Sequence, residues 1–215
     1  MSSITYKDVP YYVAGQAGSK VGIIVIQEWW GLNQHIKNMT GRFATALNAL
    51  AITPDLYRGK VATVADEANH LMGSLDWPNA LVDIRNACEY LKSQGCTKIG
   101  ITGFCMGGAL TIASCVHIKE INAGSCFYGI PPVGFANPAD LKTPIQFHFG
   151  DKDMSPGFNG KYEAVARQGS IAEFHRYIDG NHAFMNEEAP AYPHDPVICK
   201  LAMQHTVDFF NTYLV

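Results

Sequence analysis

The chain lacks long apolar runs, clustered basic residues and low-complexity stretches, and each absence removes a class of function. No apolar stretch approaches the roughly 20 residues that a membrane-crossing helix needs. Lys, Arg, Asp and Glu are scattered, and the formal net charge is −3. There is therefore no basic stripe for a phosphate backbone and no polybasic arm for anionic lipid. Nucleic acid and membrane surfaces drop out as partners. The first residues, Met1-Ser2-Ser3-Ile4-Thr5-Tyr6-Lys7-Asp8, show no basic segment followed by an apolar one, so the protein is expected to stay in the cytoplasm. CxxC pairs, HExxH and the Walker glycine pattern are also missing, which leaves no metal, nucleotide or other cofactor implied. No repeat or composition shift marks a boundary, and 215 residues at 47% hydrophobic suit one domain spanning residues 1–215.

What is present includes six cysteines (88, 96, 105, 115, 126 and 199), expected to be thiols in a reducing compartment and mostly core filler. Val21–Ile26 is a short, β-branched apolar run, too short for a buried helix, and reads as a central strand covered on both faces. Similar runs recur at Lys98–Thr102, Ala123–Tyr128, Ile145–Phe149 and Ala172–Ile178. Helical patterns lie between and around them at Ile36–Leu50, Trp77–Ser93, Gly108–His117, Pro156–Gln168 and Pro196–Leu214. Gly95 suits a left-handed cap, and Pro156 and Pro196 suit first turns. Strands alternating with helices predict an α/β fold: a mostly parallel sheet with helices on both faces. Ligands in such sheets bind beyond the carboxyl ends of the strands, so the residues just after each apolar run carry the information.

Gly103-Phe104-Cys105-Met106-Gly107-Gly108 falls between a predicted strand and a predicted helix, the context of a nucleophile elbow, with Cys in place of Ser. A helix N-terminus at Cys105 favours thiolate. The competing reading is a buried Cys in a tight bend or a phosphate turn, and the latter would need a lysine that is absent. His182 follows the last predicted strand and is the expected base. Gly150-Asp151-Lys152-Asp153 follows the strand before it and offers an orienting carboxylate, so the order nucleophile, acid, histidine matches that of α/β-hydrolases. Spacing does not choose between Asp151 and Asp153. The backbone N–H groups of Met106 and Trp29 are the expected oxyanion donors. Glu28 has two readings, a proton acceptor at the site or a solvated strand end, and Trp29 and Trp30 read as core or pocket wall.

These motifs resemble the dienelactone hydrolase (carboxymethylenebutenolidase) family over nearly the whole length. Gln27-Glu28-Trp29-Trp30-Gly31 is similar to its Q-E-x-x-G, Pro54-Asp55-Leu56-Tyr57 to its P-D-L-Y, and Gly103–Gly108 to its G-x-C-x-G-G. Phe127-Tyr128-Gly129, His148–Asp153 and His182-Ala183-Phe184 are similar to three further motifs, in the same order. The resemblance implies an α/β-hydrolase fold with Cys105, His182 and Asp153 as triad, and a Glu28 that helps generate the thiolate. It departs at the substrate-binding arginines. The first has no match between Tyr57 and Trp77, and the second, four residues after the histidine, falls on Asn186. Arg58 is the remaining candidate cation. Without two guanidinium groups, the bidentate clamp on a carboxylate-bearing lactone is missing.

The expected function is hydrolysis of small esters or lactones, with Trp30, Tyr57, Arg58, Tyr128 and Phe184 as substrate-binding residues, in a monomer or small homo-oligomer. A thioesterase or acyltransferase would use the same triad. A binding or redox-sensing protein would use the Cys105 thiol alone.

Overall fold

The computed structural model describes residues 2–154, 163, 165–167, 172–188 and 194–215. The chain forms an eight-stranded sheet in the order β1-β2-β4-β3-β5-β6-β7-β8. Strands β1 (Ser2–Tyr6) and β2 (Val9–Gly15) form an antiparallel pair, and β2 also runs antiparallel to β4 (Leu50–Pro54). From β4 onward the sheet is parallel through β3 (Val21–Ile26), β5 (Lys98–Phe104), β6 (Ala123–Phe127), β7 (Ile145–Gly150) and β8 (Ala172–Tyr177). Every residue of β3, β4, β6 and β7 is buried, which is why β3, β6 and β7 read as continuous apolar runs rather than alternating ones.

Among the described residues, the α-helices with defined bounds are α1 (Gln34–Ala46), α2 (Ala65–Gly73), α3 (Trp77–Ser93), α4 (Met106–His117) and α5 (Pro196–Leu214). The backbone at Gly22 abuts Leu91 of α3, whereas Gly100, beside Ile23 on the opposite face, abuts Leu214 and Phe210 of α5. Helices therefore cover both faces. Side-chain caps set the starts of three of them. Asn33 accepts from Ile36 N–H, Asp76 from Asn79 N–H, and Asp195 from Val197 and Ile198 N–H, the last two just before first-turn prolines. Gly95, at φ +97, ends α3 as its sequence position predicts. Among the described residues, no helix is long and apolar enough to cross a membrane.

Two expectations need correction. The first helix does not run to Leu50. It stops at Ala46, Asn48 turns into the left-handed region at φ 47, and Leu50 already belongs to β4. Strands β1, β2 and β4 and helix α2 were not anticipated. The predicted helix over Pro156–Gln168 falls largely outside the described residues.

Register aligns the strand ends. Ile26 pairs with Gly103, Phe104 with Phe127, Phe127 with His148, and Gly150 with Tyr177. The segments that follow β3, β5, β6, β7 and β8 consequently emerge along one edge of the sheet.

Candidate active site

Cys105 joins β5 to α4 with φ 54 and ψ −116, a conformation that side chains rarely adopt. Its own backbone is tied down on both sides: its N–H donates to Phe127 O at 3.0 Å, and its carbonyl accepts from Ala109 N–H at 3.1 Å. The neighbouring glycines make room for the bend. A Cβ on Gly107 would lie 2.5 Å from the carbonyl oxygens of Ile26 and Gln27, and one on Gly129 would lie 2.1 Å from Cys105 O. The start of α4 is thus pressed against the end of β3, just before Glu28 and Trp29. All six cysteines are free thiols. Cys88, Cys96, Cys115 and Cys126 are buried, and burial pushes Cys88 and Cys126 up to about 12. Cys199 is only partly buried, but its thiol is committed to Phe184 O at 3.3 Å and is also pushed up to about 12 by burial. Cys105 stands apart, part-exposed at a helix N-terminus.

The turns after β7 and β8 bring His182 to Asp153, with Nδ1 and Oδ2 at 2.9 Å; their side chains are 17% and 5% exposed. Bonding at Nδ1 leaves Nε2 for the Cys105 thiol, which lies within hydrogen-bonding reach of the imidazole. Burial alone would push the imidazole down, but the hydrogen bonds with Asp153 and Cys105 override it and raise His182 to about 10. Asp151, the other carboxylate left open by the sequence, instead meets Arg176 at 2.7 Å. The two turns are braced against each other: Asp151 N–H donates to Tyr177 O, Lys152 N–H to Gly180 O, and Lys152 pairs with Asp179 at 2.7 Å.

Glu28 is 2% exposed. Tyr128 Oη donates to its Oε1 at 3.2 Å, and Asn186 Nδ2 donates to its Oε2. Burial raises this carboxyl to about 7, against the pull of Asn186, the charge of His182 and the bond from Tyr128. Tyr128 also sets its ring edge-on to His182 at 5.1 Å. Tyr57 reaches over to Met106, its Oη donating to Sδ at 3.3 Å. Trp29 and Trp30 are half-buried and edge-on to each other at 5.1 Å, in the turn closed by Gly31 N–H on Glu28 O.

Two of the predicted substrate-binding residues lie elsewhere. Phe184 is fully buried behind Tyr128 and Tyr177, with ring centroids 5.2 and 5.1 Å away, so it backs the wall of the site. Arg58 is at φ 54, which turns its guanidinium onto Asp83 at 2.7 Å and the Asp55 carbonyl at 2.8 Å. It sits in a neighbouring groove of about 330 Å³ that shares Tyr57 as a wall. Asn186 is the residue whose part the sequence did not disclose; the one signal was its position four residues after His182. Among the described residues, no group of three or more His, Cys, Asp or Glu is arranged to hold a metal ion.

A strained cysteine between a parallel strand and a helix, with acid and histidine turns following it at the same sheet edge, defines the α/β-hydrolase class. The chain belongs to the dienelactone hydrolase family, whose sequence model matches residues 9–214. Its activity class is accordingly hydrolysis of carboxylic esters or lactones. A relative called protein usf, from Aquifex pyrophilus, is 33% identical over 220 residues, covering 94% of this chain and 93% of its own. A relative from Aquifex aeolicus (strain VF5), provisionally named carboxymethylenebutenolidase, is 29% identical over 94% of this chain and 93% of its own. Among solved structures, one provisionally described as a dienelactone hydrolase from Klebsiella pneumoniae subsp. pneumoniae MGH 78578 has the same fold. Its TM-score is 0.81 at 24% identity, over 95% of this chain and 93% of that one.

Proposed function

We propose that the protein hydrolyses small, neutral esters or lactones through Cys105, His182 and Asp153, in a single domain working in the cytoplasm. The observation that carries this reading is the strained, part-exposed Cys105 beside an imidazole whose far nitrogen is held by Asp153 at 2.9 Å. The thiol proton moves to His182 Nε2, and the Sγ lone pair attacks the substrate carbonyl carbon. The carbonyl π pair moves to oxygen, where the N–H groups of Met106 and Trp29 receive it. Met106 supports that role as the first residue of α4, whose N–H has no acceptor within the helix. Collapse of this intermediate expels the leaving oxygen, which takes the proton from His182. Water then attacks the thioester as His182 accepts its proton, and the second collapse releases the acid and regenerates Cys105. Glu28, buried beside His182, favours the proton on the imidazole and hence the thiolate. Trp30, Tyr57 and Tyr128 line the approach.

The test is steady-state turnover of a panel of activated esters and lactones, with and without a free carboxylate, by the native protein and Cys105→Ala. Turnover of the neutral members that disappears in the variant is the expected result. Turnover retained in the variant refutes the nucleophile, and no turnover with Cys105 still readily alkylated favours a binding or redox role instead.

A further inference from the structure

Both oxygens of Glu28 are engaged by donors, and the two donors differ in how they are held. Tyr128 follows β6, whereas Asn186 belongs to the turn that carries His182: its own N–H donates to Ala183 O at 2.8 Å. The amide cannot be turned over, because its Oδ1 already accepts from Glu188 N–H at 2.9 Å, which leaves Nδ2 as the side facing Glu28. Asn186 is 1% exposed, so no water competes for that bond. A neutral donor aimed at a buried carboxyl stabilises its charged form without adding a charge of its own.

The other groups near Glu28 do not take over this task. His182 and Tyr128 face it directly, and Cys105 acts on Tyr128 rather than on the carboxyl. Beyond Asn186, Glu187 is paired with Arg42 of α1 at 2.7 Å, with His35 and His194 around that pair.

We propose that Asn186 is a positioning residue for the reaction: its amide keeps Glu28 ionised and fixed beside His182, and so sets the pH at which Cys105 becomes reactive. The inference rests on the assignment of Cys105 and His182 above. With Glu28 ionised, the thiol proton on His182 has a second anion beside it in addition to Asp153. With Glu28 protonated that anion is lost, and the proton returns to sulfur.

The experiment compares the native protein with Asn186→Leu and Asn186→Asp, each also in a Glu28→Gln background. Two rates are followed against pH: kcat/KM on a neutral activated ester, and alkylation of Cys105 by iodoacetamide. Asn186→Leu removes the donor, and the acid limb is expected to move up by about one pH unit, a roughly tenfold loss below the limb and little change above it. Asn186→Asp keeps the shape and the acceptor for Glu188 N–H but places a like charge against Glu28, so the limb moves at least as far. Neither replacement moves the limb further once Glu28 is Gln. An unmoved limb in both variants, or a displacement that persists in the Glu28→Gln background, overturns the proposal. The infrared carboxyl stretch of protonated Glu28, identified by its loss in Glu28→Gln, supplies a readout without turnover: in Asn186→Asp it must persist to higher pH. Should Cys105→Ala retain activity, the assignment of the nucleophile falls while the infrared comparison still decides the role of Asn186.

Discussion

Replacing Glu28 by Gln is expected to stabilise the protein above neutral pH while impairing it as a catalyst. The carboxyl is raised from an ordinary 4.5 to about 7 by burial, and it is almost fully shielded from solvent. Because the folded-state value lies above the unfolded one, the folded protein holds the extra proton between these limits. The stabilising contribution is complete below about 4.5 and is lost as pH rises through about 7. In full it amounts to about 3 kcal/mol, most of which falls between pH 5 and pH 8. Gln does not titrate. It offers one acceptor to Tyr128 and turns its amino group towards that of Asn186, a mismatch of about 1 kcal/mol that is the same at both pH values. Urea denaturation of the two proteins, followed by tryptophan fluorescence, should therefore show the variant gaining about 2–3 kcal/mol on its parent from pH 5 to pH 8. Over the same interval its kcat/KM should fall at least tenfold below the parent's. Parallel stability curves would refute the reasoning, since a carboxyl that titrates normally has no such slope to remove.

Other substitutions probe the scaffold around the site. Gly129→Ala places a Cβ where Cys105 O lies 2.1 Å and Ala109 N 2.4 Å away, so a loss of about 3 kcal/mol or more is expected, together with loss of the elbow. Thermal unfolding and alkylation of Cys105 report these two effects separately. Arg58→Ala leaves Asp83, 5% exposed, without its cation. Stability should drop by about 2 kcal/mol in urea melts, with kcat/KM on neutral esters changed by less than about threefold. Asp153→Asn removes the partner that helps raise His182 from 6.5 to about 10. That raised value contributes stability fully present below 6.5 and lost as pH rises through about 10, so NMR of the imidazole should show a lower titration in the variant. Its kcat/KM should fall by about 10³–10⁴.

Uniform burial makes most of the central strands legible in the sequence, although β8 is read despite mixed burial and β4 is missed despite uniform burial. Strands β3, β6 and β7 are buried on both faces, and α3 and α5 start directly after the Asp76 and Asp195 caps, so their ends fall within one residue of the expected ones. Strand β1 is mostly exposed, and α2 buries only Ala68, so neither presents a stripe. The helix expected over Ile36–Leu50 runs into the first residue of β4 because Leu47, Ala49 and Leu50 continue the apolar spacing, and the left-handed Asn48 is what breaks it. At the site, Cys105, Asp153 and His182 could be picked out because each follows an apolar run in the expected order. Asn186 and Arg58 could not be placed that way, because their roles depend on where a loop turns. Arg58 has the right charge but a backbone conformation that delivers it to Asp83, whereas Asn186 has no charge and is delivered to Glu28.

These two placements bear on the choice of substrate. Every arginine among the described residues is already engaged: Arg42 with Glu187, Arg58 with Asp83, Arg85 with the His117 carbonyl, Arg167 with Glu163 and Arg176 with Asp151. Among the described residues, the charged groups named around Cys105 are the imidazole of His182 and the carboxyls of Asp153 and Glu28, which sum to a net negative charge once Glu28 ionises. A substrate carboxylate at about 6 Å from an unbalanced Glu28 would meet roughly 3 kcal/mol of repulsion at an effective dielectric of about 20, close to a hundredfold in rate. No guanidinium fork is free to offset it. A neutral ester or lactone meets none of this penalty, and its carbonyl develops negative charge only where backbone N–H groups can receive it. On the proposed mechanism, the buried carboxyl that favours thiolate at Cys105 would also disfavour anionic substrates, which would tie activation of the nucleophile to the charge of the molecules it can attack.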